Sequence, residues 1–464
     1  MVAGVFKTRM GKVSRLLVPR SPSQRILLSF AVVIYVGTFF LLLPQSNSGV
    51  HPGFLAALFT ATSATCVTGL VVVDTGSFWS PFGQAVVLLL IQVGGLGYMV
   101  ITTTLMSAFR NARLRVRQTG DFRESLATPA HESPHSFARF IAATVIACEG
   151  LGALVLSLRF LRDLPAGKAV WNGVFTSVSA FCNAGFDVLG GNMTSFEPYV
   201  GDITVNLVVP ALIIVGGLGF IVIDELLRRL SRIRTGRLST HSRTVLWATA
   251  VLAIGGALVL LALESANQHT VTASPLGTRL LASWFQSVSA RTAGFSSIPI
   301  GTMRPASLIV LVVLMFIGAS PGGTGGGVKT TTITVVLAFA WSVIIGSDQV
   351  HVGKRGIRTQ NVKKAIVIVT LSLAIVLGGT FLLVVMDGES FSSLALLFET
   401  TSAFGTVGLS TGITPTLSAG SKSVLIAIML AGRVGVLTTM LTLLAPVRSR
   451  ERSLHLAETD IVVG

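Results

Sequence analysis

T-A-T-S-A-T-C-V-T-G-L, residues 60–70, is too short and too rich in hydroxyl groups to span a membrane. It nevertheless lies between two strongly apolar runs, 26–43 and 82–109. Three other segments share its pattern: T-S-V-S-A-F-C-N-A-G-F at 176–186, Q-S-V-S-A-R-T-A-G-F at 286–295 and T-T-S-A-F-G-T-V-G-L at 400–409. Each holds a Ser-Ala pair, then three or four residues, then Gly, then Leu or Phe. The glycines are Gly69, Gly185, Gly294 and Gly408, spaced by 116, 109 and 114 residues. One such loop reads as an external turn. Four at near-equal spacing, each framed by spanning segments, read as an internal repeat.

Composition places these loops in a membrane. The chain has 464 residues, of which 51% are apolar and 12% charged. That charge is about half the roughly 25% usual in soluble domains. With 48 glycines and long apolar runs, the class is a polytopic membrane protein, and no polar gap is long enough for a soluble domain. Cys66, Cys148 and Cys182 have neither metal spacing nor a disulfide framework. Cys66 and Cys182 are expected as small, soft side chains behind a backbone wall. The net charge of +16 would suggest nucleic acid on a soluble protein, but its placement argues otherwise. Most of the 35 Lys and Arg fall on one side if the chain crosses at each apolar run: Lys7 to Arg25, Arg110 to Arg117, Arg228 to Arg237, Lys354 to Lys364 and Arg448 to Arg452. This positive-inside bias predicts both termini in the cytoplasm, with anionic lipid headgroups and no nucleic acid as partners. The first apolar run is too long for a cleavable signal and lacks a small-residue cleavage site.

The predicted fold is an all-α membrane protein with eight transmembrane helices. They form four helix–pore-loop–helix repeats with pseudo-four-fold symmetry around a central pore. The expected order is a basic tail (1–25), repeat 1 (26–109), a cytoplasmic loop (110–136), repeat 2 (137–230), a loop (231–243), repeat 3 (244–346), a loop (347–361), repeat 4 (362–447) and a tail (448–464). The short helices before the four glycines are predicted at 52–64, 169–180, 276–290 and 391–403. Re-entrant backbone cannot face lipid, because each unpaired N–H or C=O costs several kcal/mol there. The four loops must therefore surround a common aqueous axis.

Such loops suit a cation. Stripping an ion of water costs on the order of 20 kcal/mol in an idealised estimate, and oxygen ligands must return most of it. Backbone carbonyls do so without a fixed charge that would trap the ion. The candidate carbonyl donors are Thr65, Cys66, Val67, Thr68 and Gly69; Cys182, Asn183, Ala184 and Gly185; Arg291, Thr292, Ala293 and Gly294; and Gly405, Thr406, Val407 and Gly408. Glycine at the end permits the positive φ that aims a carbonyl inward. Each short helix would point its partly negative C-terminus at the ion. Repeat 3 has one residue fewer between Ser-Ala and Gly.

The second helix of repeat 3 is broken by Ala319, Ser320, Pro321, Gly322, Gly323, Thr324, Gly325, Gly326 and Gly327. Proline costs about 3 kcal/mol in a helix interior and each glycine up to ~1, so this stretch is expected as a loop below the filter. A phosphate-binding reading fails, because Gly327 and Lys329 are not adjacent. Arg433 lies mid-way along the last apolar run, where a charge costs at least ~2.5 kcal/mol. It is expected to face the pore and repel a passing cation, or to bond loop carbonyls. Lys329 is either a second pore charge or a side chain reaching for the cytoplasm. Glu399 is expected to favour the N-terminus of the fourth short helix, and Glu149 to bind a neighbouring helix. The matching runs V-G-G-L-G at 93–97 and 215–219 read as close helix packing through small residues, with a hinge role as the alternative.

The filters T-C-V-T-G-L, F-C-N-A-G-F, A-R-T-A-G-F and F-G-T-V-G-L, in that order, resemble the Trk/Ktr/HKT superfamily of potassium transporters. The resemblance runs from about residue 26 to 447 and is greatest for the bacterial KtrB-type membrane subunit. It implies K+ uptake across the bacterial plasma membrane, with Na+ as a candidate coupling or regulatory ion. It also implies a homodimer and a cytoplasmic KtrA-like ring of nucleotide-binding regulatory subunits. It makes the stretch from Ser320 to Gly327, with Arg433, the intramembrane gate, to which Lys329 is added by its position at the start of the next helix. Some plant relatives with Ser at the first filter glycine favour sodium, so Gly69 argues for potassium. The competing reading is a sodium-coupled or weakly selective cation transporter working by alternating access. An intramembrane enzyme is disfavoured, because the spans carry no His-rich metal set, facing Asp pair or Ser–His arrangement.

Overall fold

The computed structural model describes residues 22–113, 134–189, 195–231, 237–267, 270, 274–347, 349–353 and 355–443. Residues 1–21 of the basic tail, the C-terminal tail, most of the 110–136 loop, Arg232, Arg234 and Lys354 lie outside the described residues.

Among the described residues, four helices are long and apolar enough to cross a membrane by length and composition: α1 (Pro22–Leu42), α4 (Pro134–Phe160), α8 (Thr240–Glu264) and α12 (Thr359–Asp387). Their outward faces carry exposed apolar residues such as Phe39, Leu151, Trp247 and Phe381. Each is followed by a short helix: α2 (Phe54–Thr65), α5 (Ala166–Cys182), α9 (Leu276–Ser289) and α13 (Ser393–Gly405). In these, polarity is inverted relative to a soluble protein. Thr60 to Thr65 and Glu399 to Gly405 are buried almost without exposure, hydroxyls included, while the apolar side chains of the long helices face outward. The short helices therefore form the centre of the molecule.

The second helices are less regular than their hydropathy implies. In the first unit, α3 is one helix (Pro81–Arg113). In the second, the run predicted as continuous is α6 (Ile203–Leu218) and α7 (Phe220–Leu230), bent by 104° at Gly219. In the third, α10 (Pro305–Phe316) and α11 (Thr330–Ile344) flank the predicted loop. In the fourth, α14 (Ala419–Val434) stops at Gly435 and α15 (Val436–Leu443) follows. Gly219 (φ 91°, ψ 138°) and Gly435 (φ 94°, ψ 133°) share one conformation that only glycine adopts readily. A two-residue hairpin, β1 (His351–Val352) with β2 (Arg355–Gly356), interrupts the otherwise helical fold between α11 and α12.

Each of the four seams between units carries an apolar cluster. Val67, Val87 and Ile91 pack with Phe175 and Phe186. Phe181 and Phe220 pack with Phe285 and Phe295. Leu311 and Met315 pack with Phe398 and Leu409. Phe404 and Met429 pack with Ile34, Phe59 and Leu70, closing the circuit from the last unit to the first.

Candidate functional site

The four glycines form a ring. A Cβ on Gly69 would lie 2.5 Å from Ala184 O, and one on Gly185 would lie 2.6 Å from Ala293 O. One on Gly294 would meet Val407 O, and one on Gly408 would meet Thr68 O. Each loop thus leans on the next, and the fourth leans on the first. No side chain fits at any of these positions, which is why glycine recurs there.

The local backbone is the same in all four loops. The glycines have φ of 90°, 70°, 80° and 96°. Two residues earlier, Val67, Asn183, Thr292 and Thr406 also have positive φ, at 57°, 59°, 72° and 49°. Left-handed conformation is unfavourable for non-glycine residues and most so for β-branched Val and Thr, so its fourfold recurrence marks an imposed geometry. Sequence patterns indicated the glycine twist but not this second one.

The serine of each Ser-Ala pair fixes its loop. Ser63 O accepts from Thr68 N at 2.8 Å, and Ser63 Oγ accepts from Gly69 N at 3.1 Å. Ser402 repeats this with Val407 N at 2.9 Å and Gly408 N at 3.0 Å. Ser179 O accepts from Ala184 N at 2.8 Å, and its hydroxyl accepts from Phe186 N at 3.0 Å. Ser289 O accepts from both Ala293 N and Gly294 N, and its hydroxyl donates to Phe295 O. The residue missing from the third repeat is absorbed there, where one carbonyl serves two amides. These serines were visible as part of the repeat, but their tethering role needs the hydrogen bonds.

The Gly-rich loop 317–329 lies directly against the loops. Thr324 Oγ1 donates to Phe181 O at 3.1 Å, and Gly326 N donates to Thr406 Oγ1 at 3.1 Å. Gly325 has no room for a Cβ beside Thr292 Oγ1. Ser320 and Thr330 close the neck of the loop through hydroxyls 3.0 Å apart. Gly322 (φ 81°) and Gly327 (φ 67°) make its turns, and Pro321 O sits 2.5 Å from where a Gly219 Cβ would be. Gly323 packs on Gly217 O.

Arg433 is 3% exposed and bridges two elements. Nη1 donates to Thr324 O in the loop, and Nη2 donates to Gly94 O of α3 at 2.7 Å. Lys329 does not reach for the cytoplasm: Nζ turns back to Gly325 O at 2.6 Å and Gly326 O at 3.5 Å. Both cations therefore hold the loop by its carbonyls.

Further charged side chains bond outside the glycine ring. The Arg291 side chain points away from the ring, toward Thr249 O and Oγ1 at 3.5 Å, so only its backbone belongs to the loop. Glu399 does not serve the N-terminus of α13, which Ser392 caps. Its fully buried carboxylate accepts from Ser410 Oγ at 2.7 Å, Thr411 N at 2.9 Å and Thr414 Oγ1 at 2.6 Å, clamping the chain beyond the fourth loop. Glu149 does bind a neighbouring helix, through Gln92 of α3 at 3.0 Å. Gly94, Gly216 and Gly432 each press on a carbonyl near the end of a short helix: Thr65 O, Phe181 O and Phe404 O. The close packing read from the V-G-G-L-G runs is thus between a second helix and a short helix. Outside the spans, burial pushes the Asp187 carboxyl up to about 6; Ser195 counters this and Asp74 adds to it.

The comparisons with known proteins agree with one another. A family model described as "TrkH: Cation transport protein" matches residues 19–451. The chain is 36% identical over 418 residues to the Ktr system potassium uptake protein B of Bacillus subtilis, covering 90% of this chain and 92% of the relative. It is 36% identical over 451 residues to the potassium/sodium uptake protein NtpJ of Enterococcus hirae, covering 96% and 97%. Among solved structures, the potassium transporter TrkH from Vibrio parahaemolyticus matches with a TM-score of 0.71 at 18% identity, covering 94% of this chain and 86% of that one.

Proposed function

The chain belongs to the TrkH family of cation transport proteins and is a multi-pass membrane protein; from that premise we propose that it takes up K+ across the bacterial plasma membrane through a carbonyl-lined filter at the glycine ring. The observation that carries this is the closed contact circuit Gly69–Gly185–Gly294–Gly408. It gathers the candidate donors Thr65 to Gly69, Cys182 to Gly185, Arg291 to Gly294 and Gly405 to Gly408 in one place. The buried hydroxyls of Thr65 and Thr68 bond no protein atom among the described residues, leaving oxygen free for an ion or its water. Four helix C-termini face the same region and favour a cation there.

The gate in this reading is the loop from Ser320 to Gly327 with Lys329 and Arg433. It packs on the second, third and fourth filter loops, and the two cations both pin it and oppose a passing ion. Opening requires Arg433 to release Thr324 O. Both termini lie in the cytoplasm, as the basic clusters favour. The working unit is a homodimer with a KtrA-like nucleotide-binding ring, and anionic lipids meet the basic surface. The printed name of NtpJ, a potassium/sodium uptake protein, keeps a second reading in play: a sodium-coupled or weakly selective transporter with the same filter.

The test is cation entry into proteoliposomes holding this chain. Saturable Rb+ or K+ uptake with little Na+ uptake is expected; a correctly folded protein that moves no cation sinks the proposal. Gly69→Ser should lower K+ preference over Na+, since its Cβ would collide with Ala184 O. An unchanged ion ratio removes the first loop from the filter. Arg433→Ala should raise the uptake rate; a wild-type rate reduces Arg433 to scaffolding.

A further inference from the structure

Glu149 is a carboxylate in the middle of α4 that the transport reading does not use. It is 8% exposed, and no ion pair to it is recorded among the described residues. A lone acid at membrane depth is expensive and persists where it does something. Its contacts are specific. Gln92 Nε2 donates to both carboxylate oxygens, at 3.0 and 3.3 Å. Cys182 Sγ lies 3.4 Å from Gln92 Oε1 and 3.8 Å from Glu149 Oε1. Ser177 Oγ donates to the Glu149 backbone carbonyl at 2.7 Å, tying the same turn of α4 to the second short helix.

What Gln92 leads to gives the cluster its meaning. Gly94, two residues on, offers the carbonyl that accepts from Arg433 Nη2 at 2.7 Å. A Cβ on Gly94 would run into Thr65 O, and one on Gly95 would lie 3.0 Å from Cys182 Sγ. The turn from Gln92 to Gly95 is therefore wedged between the first and second loops with no slack. It is held at one end by Glu149 and holds Arg433 at the other.

We propose that Glu149, acting through Gln92, is a positioning residue for the gate: it fixes the turn of α3 whose Gly94 carbonyl anchors Arg433 across the closed loop. The proposal rests on the gating role of Arg433 given above. Loss of the Glu149–Gln92 bond frees the turn, weakens the Arg433–Gly94 contact and loosens the Gly-rich loop through Thr324. The signal thus passes from the second unit to the fourth through the first.

The experiment measures Rb+ uptake into proteoliposomes for the full-length chain, wild type and Glu149→Gln, Glu149→Leu, Gln92→Met, Arg433→Ala and Glu149→Leu/Arg433→Ala. Thermal unfolding of each variant provides the fold control. Glu149→Leu and Gln92→Met should raise uptake on the order of threefold or more, the scale of coupling between residues in one network. Glu149→Gln keeps a side chain that can bond Gln92 and should remain near wild type. The double variant should be no faster than Arg433→Ala alone. If Arg433→Ala is fast while folded Glu149→Leu or Gln92→Met stays at the wild-type rate, the positioning role is wrong and the gate stands. Additive effects in the double variant also overturn it. If Arg433→Ala itself is not faster, the gate reading fails and takes this inference with it. Should Glu149→Leu not fold, Gln92→Met decides the matter alone.

Discussion

Val67 is a β-branched residue held at φ 57°, in a region that costs of order 1–3 kcal/mol. It stays there because its neighbours are bonded on both sides: Val67 N to Ala64 O at 3.1 Å and Thr68 N to Ser63 O at 2.8 Å. The Ser63 hydroxyl adds the Gly69 N contact. Removing that hydroxyl leaves a buried N–H unpaired, at about 1–3 kcal/mol. Ser63→Ala and Ser402→Ala should therefore loosen the glycine amides of the first and fourth loops. Their K+ over Na+ preference in vesicle flux is expected to fall about fivefold, the equivalent of about 1 kcal/mol. Ser179→Ala should cost similar stability with less effect on preference, because its hydroxyl holds Phe186 N, beyond the glycine. Equal loss of preference in all three would show that the serines act through general stability.

Helices that read as continuous in hydropathy are cut where one backbone angle decides. The Gly-rich break at 317–329 is legible because proline and six glycines fall together in an apolar run. The break at Gly219 is less so, because V-G-G-L-G at 215–219 reads first as close helix packing and only second as a hinge. What cuts α6 from α7 is the packing of Pro321 O and Gly322 against it, with Phe220 N bonding Gly322 O at 3.1 Å. Those atoms lie about a hundred residues away in sequence. The Gln92–Glu149 bond, 57 residues apart, is hidden for the same reason. The Ser-Ala-to-Gly repeat was legible because a steric demand met four times leaves the same residue four times. Gly219→Ala should destabilise more than Gly435→Ala. Both force alanine into φ above 90°, but only at Gly219 does the Cβ also strike a carbonyl; at Gly435 the nearest atom is 3.9 Å away. A penalty of about 1–3 kcal/mol is expected for Gly435→Ala and more for Gly219→Ala, read as lower unfolding temperatures. The reverse order would mean that the bend between α6 and α7 is not set by the Gly-rich loop.

At the scale of the molecule, one chain closes a circuit that oligomeric channels build from separate subunits. Four apolar seams carry the adhesion, and the glycine ring at the centre contributes contact without side chains. In the uptake reading proposed above, the four short-helix C-termini and the loop carbonyls would repel one another with no cation between them. A bound K+ would relieve that repulsion in the native state and has no counterpart in the unfolded chain. Linkage then requires that K+ raise stability by about 2.7 kcal/mol when its concentration is a hundredfold above its dissociation constant. The expected result is an unfolding temperature that climbs with K+ and with Rb+. It should climb much less with Na+, and not at all with a choline salt at equal ionic strength. Gly69→Ser should lose most of the K+-dependent part. Arg433→Ala should keep it, because that variant alters the loop and leaves the ring intact. A melting temperature equal in K+ and choline would mean that the four loops meet without forming an ion site, and the uptake reading would lose its physical basis.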